Sequence, residues 1–123
     1  MHRILIVDDE TMIADTLQLI FTQHGFDARA EYSAECALKC ARTFSPNLLL
    51  CDINMPGRSG LELMDDFSRD LPQCRVLVLT GQHSNLSRVH ERSRRHQHPV
   101  RMLTKPCPPA EILREAGQML AAI

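Results

Sequence analysis

The sequence lacks the features that would assign it to a membrane, secreted or nucleic-acid-binding class. None of its apolar runs approaches the roughly 20 residues that a helix needs to cross a bilayer, so we expect no membrane partner. The apolar segment at residues 3–7 is too short, and the acidic pair after it comes too early, for a secretory signal. Neither sign of charge dominates, because 14 basic residues face 15 acidic ones. What remains is one domain of 123 residues, long enough to bury a core.

The cysteines form no recognisable disulfide or zinc framework. They are five, an odd number, and their surroundings are mostly apolar or helical. Cys36 and Cys40 share a predicted helix face, but no nearby His or further Cys pair completes a zinc site. We therefore expect reduced thiols and a cytoplasmic protein.

Short apolar segments alternate with longer segments of helical periodicity along the chain. Strands are predicted at residues 3–7, 27–30, 48–51, 75–80 and 100–103. Helices are predicted at residues 11–24, 33–44, 61–71, 84–96 and 109–120. This alternation, without linkers or repeats, predicts an α/β fold. We expect a flavodoxin-like, doubly wound, five-stranded parallel sheet of order 2-1-3-4-5, with five helices in a three-layer αβα arrangement.

Three carboxylates lie where two neighbouring strands of this sheet are predicted to end. Asp8 and Asp9 follow the first strand, and Asp52 follows the third. In this strand order the two strands are adjacent, and their carboxyl ends form the ligand-binding crevice. Clustered carboxylates need a counter-charge, and oxygen ligands of this kind suit Mg²⁺, with Mn²⁺ as a substitute. The sequence therefore predicts a divalent-cation site at this edge.

Two further polar residues are predicted at the same edge of the sheet. Thr80 ends the fourth strand and offers a hydroxyl, while Lys105 follows the fifth strand and offers a compact cation. A metal, a hydroxyl and an ammonium that converge on a carboxylate form a site for a phosphoryl group, whose transfer depends mainly on positioning and charge neutralisation. An aspartate can act as the phosphoryl-accepting nucleophile in such a site.

A family resemblance is carried, in chain order, by Asp8-Asp9, the segment DINMPGRSG that begins at Asp52, Thr80-Gly81 and Lys105-Pro106. Through these motifs the chain resembles the receiver domain of bacterial response regulators. These domains belong to two-component and phosphorelay signalling systems, and the resemblance covers essentially the whole chain. It implies that Asp52 is the phosphoacceptor and takes a phosphoryl group from a histidine kinase or a histidine phosphotransfer protein. It also implies a signalling switch and not an enzyme, with only Mg²⁺-dependent self-phosphorylation and dephosphorylation chemistry.

The resemblance also gives roles to other residues of the site. Asp9, Asp52 and the backbone carbonyl of Asn54 are expected to hold Mg²⁺, with Asp8 assisting through water. One phosphoryl oxygen is expected to pair with the lysine that follows the fifth strand, and another to accept a hydrogen bond from the threonine that ends the fourth.

Loop geometry and domain organisation follow from the same resemblance. Met55-Pro56 and Gly60 are expected to shape the loop over the site, and the Lys105–Pro106 bond is expected to be cis. Residues 1–123 are expected to form a single receiver domain, with no output domain in this chain. Such a domain either stands alone or belongs to a larger regulator.

Two features depart from the receiver pattern. Met102 occupies a position at which receivers usually carry Tyr or Phe, and it cannot report the same rotamer change when the threonine moves. The predicted fourth helix is basic and poor in apolar residues, with Arg92, Arg94 and Arg95 near its end. These arginines form either a solvated helix end or a docking site for an unidentified acidic output partner, on the helix 4–strand 5–helix 5 face that receivers use for signalling. Direct nucleic-acid binding is not expected, because no aromatic residues are interleaved with the charges.

Other function classes remain as alternatives. An FMN-binding protein of this fold needs a hydroxyl- and Gly-rich phosphate loop after the first strand, where Asp8, Asp9 and Glu10 would repel the phosphate. An aspartyl phosphohydrolase pairs two Asp with one residue between them, and here the second position is Asn54. A pseudo-receiver, which is only an interaction module, is favoured by Met102 and opposed by the complete acidic set.

Overall fold

Five strands and five helices alternate within residues 1–55, 57, 59–81, 86–98 and 100–121, which are those that the computed structural model describes. The strands are β1 (Arg3–Val7), β2 (Asp27–Glu31), β3 (Leu48–Asp52), β4 (Arg75–Thr80) and β5 (Arg101–Thr104). The helices are α1 (Thr11–Gln23), α2 (Ala34–Phe44), α3 (Gly60–Asp70), α4 (Leu86–Ser93) and α5 (Pro109–Ala121). In the part of the chain so described, no helix combines the length and the apolarity that a membrane span requires.

The strands pair in parallel in the order β2-β1-β3-β4-β5, so the predicted flavodoxin-like topology is confirmed. β1 lies between β2 and β3, with Val7 beside Cys51. The carboxyl ends of β1 and β3 therefore reach the same edge of the sheet side by side. β4 and β5 continue the sheet beyond β3, and Thr80 lies beside Thr104 at the same edge.

Alternate residues of the strands build two hydrophobic cores, one on each face of the sheet. The first core joins strand residues to α2, α3 and α4, and it includes Leu5, Leu49, Val78, Phe67 and Val89. The second core joins the intervening strand residues to α1 and α5, and it includes Ile4, Leu50, Leu77, Phe21 and Ile112. Because helices cover both faces, the central strands are apolar at nearly every position.

Local capping sets the helix boundaries to within one residue of the prediction, except at α4. α3 begins at Gly60 because the Ser59 hydroxyl accepts a hydrogen bond from the Glu62 N–H, while the Glu62 carboxylate accepts one from the Ser59 N–H. Ser33 caps α2 by accepting a hydrogen bond from the Cys36 N–H. Gly25 follows α1 with φ of 89°, a left-handed conformation that suits glycine after a helix.

The prediction that α4 continues to residue 96 is wrong, since the helix ends at Ser93. The Arg95 and His96 N–H groups donate to the carbonyls three residues earlier, which forms turns in place of a helix. The Ser93 hydroxyl accepts a hydrogen bond from the Val100 N–H, which leads the chain towards β5. After Val89 no apolar residue is available to hold a further helical turn against the sheet. The predicted start at residue 84 lies outside the described residues.

Candidate functional site

Two buried carboxylates and one more exposed carboxylate meet at the carboxyl edge of the sheet. Asp8 follows β1 and is 2% exposed, and Asp52 ends β3 and is 6% exposed. Carboxylate oxygens from Asp8, Asp9 and Asp52 lie within 4.8 Å of one another. The prediction that the strand order brings these three residues together is confirmed.

Backbone amides hold the two buried carboxylates in fixed orientations. Asp8 Oδ1 accepts a hydrogen bond from the Glu10 N–H at 3.0 Å. Asp52 Oδ1 accepts one from the Asn54 N–H at 3.1 Å. Each bond joins an aspartate to the amide two residues further on, which is the usual turn chemistry of Asp. These bonds engage Oδ1 of each carboxylate, while Oδ2 of each faces Lys105.

Lys105 supplies the cation between the two buried carboxylates. Its Nζ lies 3.2 Å from Asp52 Oδ2 and 3.5 Å from Asp8 Oδ2. The Lys105 N–H donates to the carbonyl of Thr80 at 2.8 Å, and the Lys105–Pro106 bond is cis, as predicted. The backbone at the ends of β4 and β5 therefore places this lysine at the acidic cluster.

Burial and charge shift the proton affinities of the cluster. Burial would lower the pKa of Lys105, but the charges of Asp52 and Asp8 and their hydrogen bonds outweigh it and raise the pKa. Burial raises the pKa of Asp8, against the opposing effects of the Glu10 N–H and Lys105. Among the described residues, three carboxylates face one ammonium here, which leaves two negative charges in excess. An oxygen-only donor set with this excess fits a hard divalent cation.

The remaining predicted site residues lie near the cluster. Thr80 is fully buried at the end of β4. Asn54 follows Asp52 and contributes its N–H to that carboxylate. Gly60, at the start of α3, packs directly under the peptide group of Asp52, where a Cβ atom would lie 2.2 Å from the Asp52 carbonyl oxygen. Met55 is buried in the first core, and Pro56 lies outside the described residues.

An apolar cleft of about 620 Å³ opens beside Lys105, between α1 and the β5–α5 loop. Its walls include Met12, Ile13, Cys107 and Ile112, and Met12 is 82% exposed. Sequence reasoning did not single out Met12 or this cleft. The available signal was a methionine next to the apolar stripe of a helix that follows an acidic pair.

Met102 lies in β5 beside Val78 and packs half-buried against the first core. A flexible, sulfur-containing side chain therefore fills the β5 position at which the receiver pattern leads one to expect Tyr or Phe.

The basic C-terminal end of α4 and the turn that follows it contact α3, an arrangement that sequence reasoning missed. Arg92 Nη1 lies 3.2 Å and Arg95 Nη1 3.8 Å from carboxylate oxygens of Asp65. The Ser68 hydroxyl donates to the Arg95 carbonyl at 2.7 Å. We call these four residues the α3–α4 clasp. Arg94 is exposed. Two of the three predicted partner-face arginines therefore turn towards α3, because Asp65 offers them a counter-charge.

Protonation of His96, which lies beside the α3–α4 clasp, is expected to destabilise the folded protein at acid pH. Burial disfavours the imidazolium form of His96 more than Asp65 favours it, so the pKa of His96 lies below its ordinary value. The other charged groups at this place are Arg92 and Arg95, which contact the same Asp65. Between the folded and unfolded pKa values the unfolded chain binds more protons, so this residue lowers the free energy of unfolding as pH falls below about 6.5. Urea unfolding at pH 7 and pH 5 should show a smaller acid loss for His96→Gln, by about 1 kcal/mol or less.

His90→Gln, at an exposed position of α4, is the matched control for that comparison. If His90→Gln and His96→Gln reduce the acid loss equally, the effect does not come from the burial of His96.

A parallel sheet of this order, with clustered carboxylates and a lysine at its carboxyl edge, is the architecture of a receiver domain of two-component signalling. The sequence model of the response regulator receiver domain matches residues 4–116, so the chain belongs to that family. The chain is 32% identical over 92 residues to the transcriptional regulatory protein AruR of Pseudomonas aeruginosa. It is 38% identical over 87 residues to the nitrogen assimilation regulatory protein NtrX of Azorhizobium caulinodans.

These matches cover 71% and 69% of this chain but only 37% and 19% of the two regulators. The crystal structure of the response regulator TrrA of Thermotoga maritima, in complex with Mg²⁺-BeF, is also similar. It has a TM-score of 0.83 and 26% identity, with 97% of this chain and 99% of that chain covered. The chain is a receiver domain of two-component signalling, a class of switches and not of classical enzymes.

Proposed function

We propose that this receiver is a phosphoacceptor switch, phosphorylated on Asp52 by a histidine kinase or a histidine phosphotransfer protein. The observation that supports this most directly is the 3.2 Å distance from Lys105 Nζ to Asp52 Oδ2 at the carboxyl end of an otherwise apolar, buried strand. Burying like charges together is costly unless they are compensated. A cluster retained at that cost is characteristic of a site that performs chemistry.

The proposal includes Mg²⁺ as the cation, with Mn²⁺ as a substitute. Asp9, Asp52 and the backbone carbonyl of Asn54 would hold the ion, with Asp8 assisting through water. The oxygen-only donor set and its excess negative charge support this assignment. The TrrA crystal structure, which is a Mg²⁺-BeF complex, supports Mg²⁺ as the cation. When bound, the ion would neutralise charge on the carboxylates and on the incoming phosphoryl oxygens.

In the proposed transfer, a carboxylate oxygen of Asp52 forms a bond to phosphorus while the phosphorus–nitrogen bond of the donor histidine breaks. The electron pair of the broken bond stays on the imidazole nitrogen. The Asn54 N–H holds the carboxylate of Asp52 in orientation for attack. Lys105 then pairs with a phosphoryl oxygen, and the Thr80 hydroxyl hydrogen-bonds another, so that fixed charges and dipoles stabilise the transferred group.

The phosphodonor protein is proposed to dock over the apolar cleft beside Lys105. A donor histidine must approach Asp52 from outside the sheet edge, so the surface around the histidine must contact the walls of the crevice. The cleft offers exposed apolar area at Met12 beside Lys105. Burying such area supplies affinity that does not depend on the reacting groups.

Output is proposed to pass to a partner or an attached domain through the α4–β5–α5 face. The two curated relatives are much longer regulators, which supports an attached output domain in the parent protein. Residues 1–123 are proposed to form one receiver domain. A cytoplasmic location is proposed because the family works there and all five cysteines are free thiols.

Acetyl phosphate with Mg²⁺ should add one phosphoryl group to the protein, detected promptly by intact mass. The adduct should be absent from Asp52→Asn and abolished by a chelator, because the first removes the nucleophile and the second the cation. Asp27→Asn, at an exposed position of β2, is the matched control and should be phosphorylated like the wild type.

If no adduct forms, beryllofluoride with Mg²⁺ separates rapid hydrolysis from an inactive site. A rise in the unfolding midpoint that Asp52→Asn does not show would support a short-lived phosphoaspartate. The absence of both signals would contradict the proposed function and favour a pure interaction module.

A further inference from the structure

We propose that the C-terminal end of α4 docks an acidic segment of a partner protein, and that Asp65 of α3 occupies its arginine pair in the free chain. The first support is the charge of the α3–α4 clasp. One carboxylate, Asp65, faces two guanidinium groups, Arg92 and Arg95, so the clasp keeps a net positive charge among the described residues. A second carboxylate would balance it, and a partner can supply one.

The contacts within the α3–α4 clasp are incomplete. Arg92 Nη1 is buried and 3.2 Å from Asp65, yet the alignment leaves it without a hydrogen bond in the described part of the chain. Asp65 Oδ1 is also buried and has no hydrogen bond from the described residues, and Arg95 approaches it only to 3.8 Å. An ion pair with incomplete hydrogen bonds stabilises the protein little, so a carboxylate of a partner displaces Asp65 from the arginines at low cost. Asp65 therefore acts as a weak internal competitor for the two guanidinium groups.

The surface beside the α3–α4 clasp presents hydrogen-bond donors to an incoming carboxylate. A basin of about 710 Å³ lies at the end of α4 and is lined by His90, Ser93, Arg94, His96 and Gln97. Each of these side chains can donate a hydrogen bond, and none of the five is acidic. Arg94 is exposed, and its planar guanidinium matches a carboxylate with two parallel hydrogen bonds. The basin and the clasp together fit an acidic peptide segment.

Two observations favour a protein segment over a nucleic acid. The described part of this surface, residues 86–98, contains no Phe, Tyr or Trp, the large aromatic side chains on which bases stack most strongly. The whole chain has a net charge of −1, so a long polyanion would meet repulsion beyond the basin.

The surface does not depend on the phosphoryl chemistry of Asp52, so it is tested in the unphosphorylated protein. Failure of the docking proposal therefore leaves the phosphorylation proposal intact, and failure of the phosphorylation proposal leaves the docking proposal intact.

Binding of a fluorescein-labelled octaglutamate peptide, followed by anisotropy at low salt, tests the surface. Arg94→Glu should weaken binding at least about fivefold, since it replaces a donor by a repelling charge. Lys39→Glu makes the same change in charge at an exposed position of α2 and should change binding less than about twofold. Equal losses for the two variants, or no binding to the wild type, would overturn the proposal.

The competition by Asp65 has its own matched comparison. Asp65→Asn should tighten peptide binding about fivefold or more, because the peptide no longer displaces an internal carboxylate. Asp27→Asn removes the same charge at an exposed position of β2 and should tighten binding less than about twofold. Equal effects would show that Asp65 is not a competitor. Unfolding midpoints identify any variant that is not folded, in which case Asp65→Ser replaces Asp65→Asn.

Discussion

Gly60→Ala is expected to lower the free energy of unfolding by about 2–4 kcal/mol and to slow phosphorylation of Asp52. The added Cβ would lie 2.2 Å from the Asp52 carbonyl oxygen and 2.8 Å from the Ile53 Cα, both of them backbone atoms. The Gly60 N–H also donates to the Ile53 carbonyl at 3.1 Å, which holds the two segments together. Relief of the clash must therefore move β3 or α3, and movement of β3 displaces the phosphoacceptor.

Gly117→Ala is the matched control, because a Cβ atom at this helical position of α5 meets nothing within 4 Å. It should be neutral or stabilise the protein by up to about 1 kcal/mol, since alanine favours helix. Urea unfolding measures both variants, and intact mass after acetyl phosphate follows the phosphorylation rate. If Gly60→Ala matches Gly117→Ala in both measurements, the close approach of α3 to Asp52 does not position the site.

Lys105→Met is expected to lower the free energy of unfolding by about 2 kcal/mol in metal-free buffer. The variant keeps much of the side-chain volume but removes the ammonium that lies 3.2 Å from Asp52 and 3.5 Å from Asp8. The carboxylates would then repel one another without compensation. Mg²⁺ should recover part of the loss, because a cation that binds only the folded state stabilises it.

Two variants separate the charge effect from a packing effect. Lys39→Met, at an exposed position of α2, should change stability by less than about 0.5 kcal/mol. Adding Asp8→Asn to Lys105→Met should restore stability, because it removes one of the repelling carboxylates. If the double variant is as unstable as the sum of the single variants, repulsion within the cluster is not the cause of the loss.

The topology was predictable because the chain repeats one pattern five times. Apolar strands that are buried on both faces, followed by helices with a single apolar stripe, allow few arrangements besides a doubly wound parallel sheet. The site followed from that topology, since Asp8 and Asp52 each end one of two adjacent strands. Their gathering therefore required no knowledge of side-chain packing.

The end of α4 was not predictable in the same way. Periodicity gave no stop signal between Ser93 and His96, because this polar stretch contains neither glycine nor proline. From Ser93 onwards the chain is held by contacts outside the helix. The Val100 N–H donates to the Ser93 hydroxyl, and the Ser68 hydroxyl donates to the Arg95 carbonyl. The Ser68–Arg95 contact joins residues that are 27 positions apart, which no local pattern spans. The Ser93–Val100 contact joins residues 7 positions apart through a turn that helical periodicity does not predict.

By itself, the sequence determined the fold, the edge of the sheet that carries the site and the chemical character of its residues. These depend on periodicity and on the order of strands, which the linear pattern encodes. Only the tertiary structure decided that Gly60 lies against the peptide group of Asp52, that Met12 borders a cleft beside Lys105, and that Asp65 engages the arginines at the C-terminal end of α4. Each of these depends on the distance between elements that pack across the sheet or on its surface, and that distance is set by packing.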